Sequence, residues 1–357
     1  MACRRRSSPQ RPAAPGFVLA MTLWFLAGIG VVVGLVTLWS LERVRDATVD
    51  RERVEDAIAL VSTRDTLVYL AATRDMTLAG LPVDPIGDDE RAAAALQEFG
   101  GLDRNPRGGE LRLDDQPYEG VGRIVFSTQD ESGLFPLGWP SAHMLDRFLA
   151  AHDIPREQIP NLRDPLLDYI DFDDLRHLHG AEARDYERAS MPPPPNRRLL
   201  LPQELARVMG WHELPVELRE RMQEASTTFY LGGLNLNTAP AELLAGWLPG
   251  CPETCEMFIE RRREHPFFAK AQIQGMFGVL LAGEDGTDYR YGPSDTLRVT
   301  LWGRTGMAHR IHVKLTPSAN QRAPWQVLAA YPVPRPRQHA APEPTHSALF
   351  ADPQADR

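Results

Sequence analysis

The sequence predicts an α+β protein: one long N-terminal helix, one small sheet, and a large all-α block inserted between the strands of that sheet. Three observations carry this reading. Residues 17–39 are uncharged and run on into an amphipathic pattern, with no Pro or Gly from residue 35 until Gly80. Strand patterns at 110–113 and 120–128 return at 296–302, 310–315 and 325–330. Between them, from about 141 to 279, the periodicity is helical, with short connections and proline punctuation such as MPPPPN at 191–196.

The apolar run FVLAMTLWFLAGIGVVVGLVTLW is long enough to cross a bilayer as a helix of roughly 35 Å. A secretory signal would carry a shorter apolar region ending in small residues; here Ser40-Leu41-Glu42-Arg43 continue the helix. Arg4, Arg5, Arg6 and Arg11 precede the run with no acidic residue among them. That bias predicts a cytoplasmic N-terminus and export of everything beyond Leu41. A plain signal anchor has the same shape. Gly30 and Gly34 form a small-xxx-small pair suited to close helix packing. Past the membrane, Leu41, Val44, Ala47, Val54, Ile58 and Val61 form an apolar stripe, which predicts a helix to about Tyr69 packed on a domain.

Composition bounds the rest. The 357 residues carry a net charge of −9, which argues against a general phosphate-backbone binder. Mean hydropathy is −0.32, which excludes a polytopic membrane protein. Lys270 and Lys314 are the only lysines, so a phosphate-binding loop with its lysine is excluded.

The junction Gly16-Phe17, where the basic leader meets the apolar run, resembles a prepilin processing site. There a dedicated peptidase cuts after Gly and methylates the new N-terminal Phe. Most pilin-like proteins carry Glu at the fifth mature position, whereas this chain has Met21. That departure resembles the K-type minor pseudopilins of type II secretion. An intramembrane carboxylate is costly and kept for a partner; a subunit at the end of a fibre has no neighbour above it to supply one. The order of elements is similar too. In that family a long helix on an antiparallel sheet, the pilin-like core, is interrupted by a helical domain.

The boundaries expected on this reading are a leader at 1–16, a transmembrane helix at 17–41, and the pilin-like helix and first strands at 42–132. The helical insertion follows at 133–283, with a helix-hairpin-helix-like element within it. The last strands fall at 284–332 and a disordered Pro-rich tail at 333–357.

Within the insertion, DPLLDYIDFDDLRHLHGAEARDY at 164–186 gathers carboxylates that repel unless protonated, paired or metal-bound. Oxygen-only ligands in an exported protein favour Ca²⁺. A solvated acidic face is the alternative, and Leu175 and Arg176 rule out an EF-hand count. The stretch resembles the K family's Asp-Trp-x-Asp-x-Asp then Gly-x-Glu-x-x-x-Tyr pattern, through Asp168, Tyr169, Asp171, Asp173, Gly180, Glu182 and Tyr186. The resemblance implies calcium, with Asp168, Asp171, Asp173, Asp174 and Glu182 as candidate ligands. The family's Asn-Leu-Asn turn before the insertion is missing after Asp130-Glu131-Ser132-Gly133, so that turn supplies no ligands here.

The stretch 234–267 reads as a helix-hairpin-helix, with Asn237 or Thr238 as a helix cap and Leu243, Leu244 and Trp247 on the buried face. DNA-binding versions aim backbone N–H groups at phosphate. Here the hairpin LPGCPET lies beside Glu253 and Glu256, which favours a structural element. Cys251 and Cys255 are spaced within disulfide range, the alternative being two buried thiols. No catalytic motif is present, and no catalytic residue is expected.

The resemblance therefore implies a non-enzymatic assembly subunit in the bacterial inner membrane, single-pass, with a periplasmic body. Its partners would be the I- and J-type minor pseudopilins, other pseudopilins, the prepilin peptidase and the inner-membrane secretion platform, with no nucleic acid. A membrane-anchored periplasmic DNA-binding protein is the alternative function.

Overall fold

The computed structural model describes residues 16–84, 106–304, 306–316, 323–336 and 344–350. Two compact units are distinguished, one ending at Ile58 and the other beginning at Ala59. The leader before Gly16 and the alanine-rich stretch after residue 90 lie outside the described residues.

Helix α1 (Gly16–Thr73) is continuous, as the missing helix breakers dictate. In its first unit the apolar side chains are exposed, and the helix is long and apolar enough to cross a membrane. Thr22 and Thr37 donate their hydroxyls to the carbonyls of Leu19 and Val33, which satisfies them without water. Arg43 lies over the Trp39 ring at 5.3 Å, a pairing suited to the membrane interface. Together these features make the segment a single-pass membrane anchor. Along the helix Leu41, Val44, Val54, Ile58 and Val61 are exposed. In the second unit the buried face of α1 is formed by Thr63, Leu67, Val68, Ala71 and their neighbours.

The main sheet has five antiparallel strands: β1 (Asp114–Glu119), β2 (Val125–Asp130), and, far later in the chain, β7 (Thr296–Trp302), β8 (Ala308–Leu315) and β9 (Trp325–Val333). Their order is β1-β2-β7-β8-β9. The segment 110–113 is not a strand of this sheet; Leu111 makes an isolated bridge to Leu81, and β1 follows it. Period-two alternation decides the two faces. Leu297, Val299, Leu301, Ile311, Val313 and Leu315 share one core with Leu67 and Val68 of α1. Arg298, Thr300, Arg310 and His312 alternate with them and are also buried, because the other face of the sheet is covered by the insertion.

The insertion occupies residues 131–295, between β2 and β7, which are hydrogen-bonded neighbours. It contains β3 (Phe135–Pro136), α2 (Ala142–Ala151), α3 (Ile159–Ile170), α4 (Ala183–Arg188), α5 (Val216–Glu224), β4 (Ser226–Thr227), β5 (Leu234–Asn235), α6 (Ala241–Trp247), α7 (Glu253–Glu264), α8 (Lys270–Phe277) and β6 (Tyr289–Arg290). Two short parallel pairs, β3 with β4 and β5 with β6, were not expected in an all-α block. They sit where distant segments must run side by side, a non-local demand that local periodicity does not encode. The insertion has its own core, from Phe135 through Trp211 to Tyr291, which extends beyond the expected boundary at 283. Gly246 lets α6 approach α2, since a Cβ there would lie 2.7 Å from the Arg147 carbonyl oxygen.

Part of the tail expected to be disordered is placed. Residues 344–350 lie along β1, where Thr345 bridges Tyr118, and Leu349 and Phe350 pack against the core shared by α1 and the sheet.

Candidate functional site

Two groups of carboxylates stand at opposite extremes of satisfaction. The first closes the neck of the insertion. Asp130, at the end of β2, is fully buried and accepts six hydrogen bonds. Its Oδ1 receives the backbone N–H of Ser132 at 3.1 Å and both the N–H and hydroxyl of Ser294 at 2.9 and 2.7 Å. Its Oδ2 receives the Ser132 hydroxyl at 2.6 Å, the Asn235 amide at 2.8 Å and the Thr238 hydroxyl at 3.0 Å. One carboxylate thus ties together the two chain crossings of the neck and the turn before α6.

This corrects the expectation that Asn237 or Thr238 caps α6. Pro240 stands at the cap position without a side-chain bond, Thr238 serves Asp130, and Asn237 donates to the carbonyls of Phe267 and Tyr291.

The insertion also docks onto the polar sheet face through two buried arginines. Arg310 meets Glu224, the last residue of α5, at 2.7 Å, and Arg298, paired with Asp115 of β1 at 2.5 Å, donates to the Glu224 carbonyl at 2.8 Å. Burial pushes the Asp115 and Glu224 carboxyls up, but the Arg298 and Arg310 charges outweigh it and hold both below their ordinary values. His312 pairs with buried Glu131 at 2.5 Å and with the Tyr331 hydroxyl at 2.8 Å. Burial nevertheless lowers the His312 pKa and favours its neutral form.

The second group is the acidic stretch foreseen from the sequence. α3 delivers Asp168, fully buried, and ends with Asp171 as its C-cap. The loop that follows turns back over Asp168. His177 donates its backbone N–H to that carboxylate and pairs with it through Nδ1, and a Cβ at Gly180 would overlap Asp168 Oδ2. Glycine at 180 is therefore a steric requirement of the loop.

Ligand atoms of Asp168, Asp171 and His177 lie within 4.8 Å of one another. Glu182, at the start of α4, is buried, and neither of its oxygens has a hydrogen-bond partner. Oδ1 of Asp171 is unpartnered as well. Burial, then the charges of Asp168, Asp171, Asp174 and Asp173, push the Glu182 carboxyl up to about 7. Burial and the charges of Asp173 and Asp168 also raise Asp171, while the hydrogen bond to Asp168 raises His177.

Of the five candidate ligands, Asp168 and Asp171 offer atoms within 4.8 Å of one another, together with His177, while Asp173 and Asp174 act on Glu182 through their charge. Asp173 accepts from the Leu175 N–H and is exposed; Asp174 accepts from Asn196 at 3.1 Å. Asn196 also donates to the Asp173 carbonyl, and with His177 it is a participant the sequence reading missed. His177 carries no periodic signal; a loop brings it to Asp168. Asn196 follows a proline run and carries no motif. The unpartnered oxygens of Glu182 and Asp171, beside the Asp168 carboxylate, fit a hard divalent cation.

The hairpin holds a disulfide, Cys251–Cys255, with Cα atoms 5.1 Å apart. Arg262, the middle of the three arginines in the last turn of α7, is buried and donates to the carbonyls of Leu236 and Ala239 at 2.7 Å each. Arg261 pairs with Glu264. The DNA-binding alternative is therefore not favoured.

Comparison with known proteins agrees with this picture. Residues 138–221 match the family described as "Type II secretion system (T2SS), protein K". The fold is similar to a chain in the crystal structure of the GspK-GspI-GspJ complex from the enterotoxigenic Escherichia coli type 2 secretion system. The identity is 14%, the TM-score 0.50, and the match covers 82% of this chain and 99% of that one. Among curated protein sequences there is no match. A long N-terminal helix, an antiparallel sheet and the helices inserted into it make an α+β fold consistent with that chain. Within the insertion, residues 138–221 are similar to protein K of that system.

Proposed function

We propose that this chain is the tip subunit of the periplasmic pseudopilus, starting and capping the fibre that moves folded proteins across the outer membrane. The observation that carries this reading is the insertion at 131–295. It covers the sheet face away from α1 and would obstruct subunits stacked in a fibre shaft, an obstruction that matters least at the end. Met21 in place of the usual Glu fits the same position, because a last subunit meets no further N-terminal amine.

The partners are the I- and J-type minor pseudopilins, a reading supported by the complex to which the fold is similar. The exposed stripe Leu41, Val44, Val54 and Ile58 fits packing on neighbouring subunits' helices. The chain would sit in the inner membrane with its N-terminus in the cytoplasm and its body in the periplasm. It would be cut after Gly16 by the prepilin peptidase and delivered to the inner-membrane secretion platform. It is read as a structural component without catalysis.

The acidic loop would hold calcium through Asp168, Asp171 and Glu182, with Asp173 and Asp174 in support. Bound calcium would neutralise the mutual repulsion of these carboxylates and fix the loop between α3 and α4.

The test of the tip reading is assembly. Mixing the full chain in detergent with I- and J-type partners should give a 1:1:1 complex by native mass spectrometry. No association at micromolar concentration would contradict it.

A further inference from the structure

The open edge of the main sheet at β1 is occupied by the chain's own C-terminal segment, and the manner of its attachment points to a docking site. Edge strands offer unpaired N–H and C=O groups to any extended segment. At β1 that offer is short. Asp115 has a positive φ of 61°, the ladder to β2 shifts register between Asp114 and Pro117, and Pro117 has no N–H. What remains is one regular step, and residue 345 takes it. Thr345 donates its N–H to the Pro117 carbonyl at 2.9 Å, and its carbonyl accepts the Glu119 N–H at 3.0 Å, in parallel register. The Gln116 amide donates to the Thr345 hydroxyl at 3.0 Å, and His346 meets Glu119 at 3.1 Å.

Beyond this bridge the segment turns inward. Ser347 is buried, its hydroxyl accepts the Leu349 N–H, and its carbonyl accepts the Phe350 N–H. The turn delivers Leu349 and Phe350 to the core, where Phe350 meets Phe126 edge to face at 5.6 Å, and Phe126 stacks on Tyr118 at 5.7 Å. Both Leu349 and Phe350 are only half-buried. One backbone bridge and two half-buried side chains make a shallow attachment, suited to exchange.

Topology adds to this. The chain leaves the sheet at β9, the opposite edge, and returns to β1 after twelve residues from Val333 to Thr345. Twelve residues reach at most about 40 Å, ample for the roughly 19 Å across four strand spacings. The sheet's own ladders are complete without this segment.

We propose that the β1 edge, with its Tyr118–Phe126 socket, is a binding site for an extended segment that pairs through one residue and places Leu and Phe four and five positions later. Residues 344–350 fill it in cis. A segment of the same pattern from another chain must displace them to bind.

Fluorescence anisotropy tests this with the full chain in detergent micelles, a variant ending at Pro336, and a labelled peptide spanning residues 342–352. The truncated variant should bind the peptide saturably, and the intact chain at least tenfold more weakly because its own tail competes. A Phe350→Ala peptide should lose at least tenfold. Absence of saturable binding to a truncated variant with unchanged circular dichroism, or indifference to Phe350→Ala, would overturn the proposal. Should the truncated variant fail to fold, hydrogen exchange on the intact chain carrying Phe350→Ala decides. Faster exchange at the Glu119 amide supports the site, and unchanged protection overturns it.

Discussion

Asp130 at the neck and Glu182 in the acidic loop are both buried carboxylates, yet they do opposite things. Asp130 receives six donors from four residues in three stretches of chain, so its charge is fully answered by the protein itself. Glu182 receives none, and Asp171 keeps an orphaned oxygen. Buried polar groups are normally satisfied, and the exceptions ask for an explanation. The first holds the insertion on the sheet without help. The second is complete only when a cation, or a proton, is added. Acidity alone does not separate a structural carboxylate from a ligand; the census of donors does.

The comparison breaks most visibly at Asp130. Asp130→Ala would strand buried donors from Ser132, Asn235, Thr238 and Ser294, and should cost on the order of 4 kcal/mol in urea unfolding. Added calcium should not rescue it. A change within about 0.5 kcal/mol would mean that the neck is held elsewhere.

The next effect belongs to the loop. Calcium at a hundredfold excess over its dissociation constant should stabilise the folded chain by about 3 kcal/mol, read as a rise in melting temperature that a chelator reverses. Glu182→Gln should remove most of that rise while leaving the chelated protein as stable as before or slightly more so, since it deletes a repelling charge.

The pH dependence sharpens the same point. Glu182 has a folded pKa of about 7 against an ordinary 4.5, so the folded state binds this proton more tightly than the unfolded chain. Without calcium, its contribution to stability is complete below about pH 4.5 and is lost as pH rises through about 7. Calcium needs the ionised carboxylate. Its stabilisation should therefore be larger at about pH 8 than at about pH 5, as thermal melts would show. A calcium effect independent of pH would remove Glu182 from the site.

The smallest expected effect is at the hairpin. Cys251→Ser opens a loop closed across a separation of four residues, worth about 2 kcal/mol or less by chain entropy. It should leave calcium binding unchanged.

How much of this was legible beforehand follows from where each signal lives. The anchor helix, the strands β7 to β9 and the acidic loop are local patterns, and they were read from residue spacing. The Asp130 neck was not, because its donors come from 132, 235, 238 and 294 and meet only in three dimensions. Asn237 and Thr238 looked like helix caps because their local setting is that of a cap; tertiary partners won. The stripe at Leu41 to Ile58 was legible as apolar, but periodicity reports a sticky face and not its occupant. His177 and Asn196 were missed for a related reason: loops deliver them, and loops have no period.

The pilin-like reading begins at Gly16-Phe17, and intact-mass and N-terminal analysis of the protein from its membrane tests it most directly. The account predicts a chain starting at N-methylated Phe17, with the whole apolar helix retained. A mature protein that keeps its leader in a host carrying the peptidase, or one cut beyond residue 39, would contradict it.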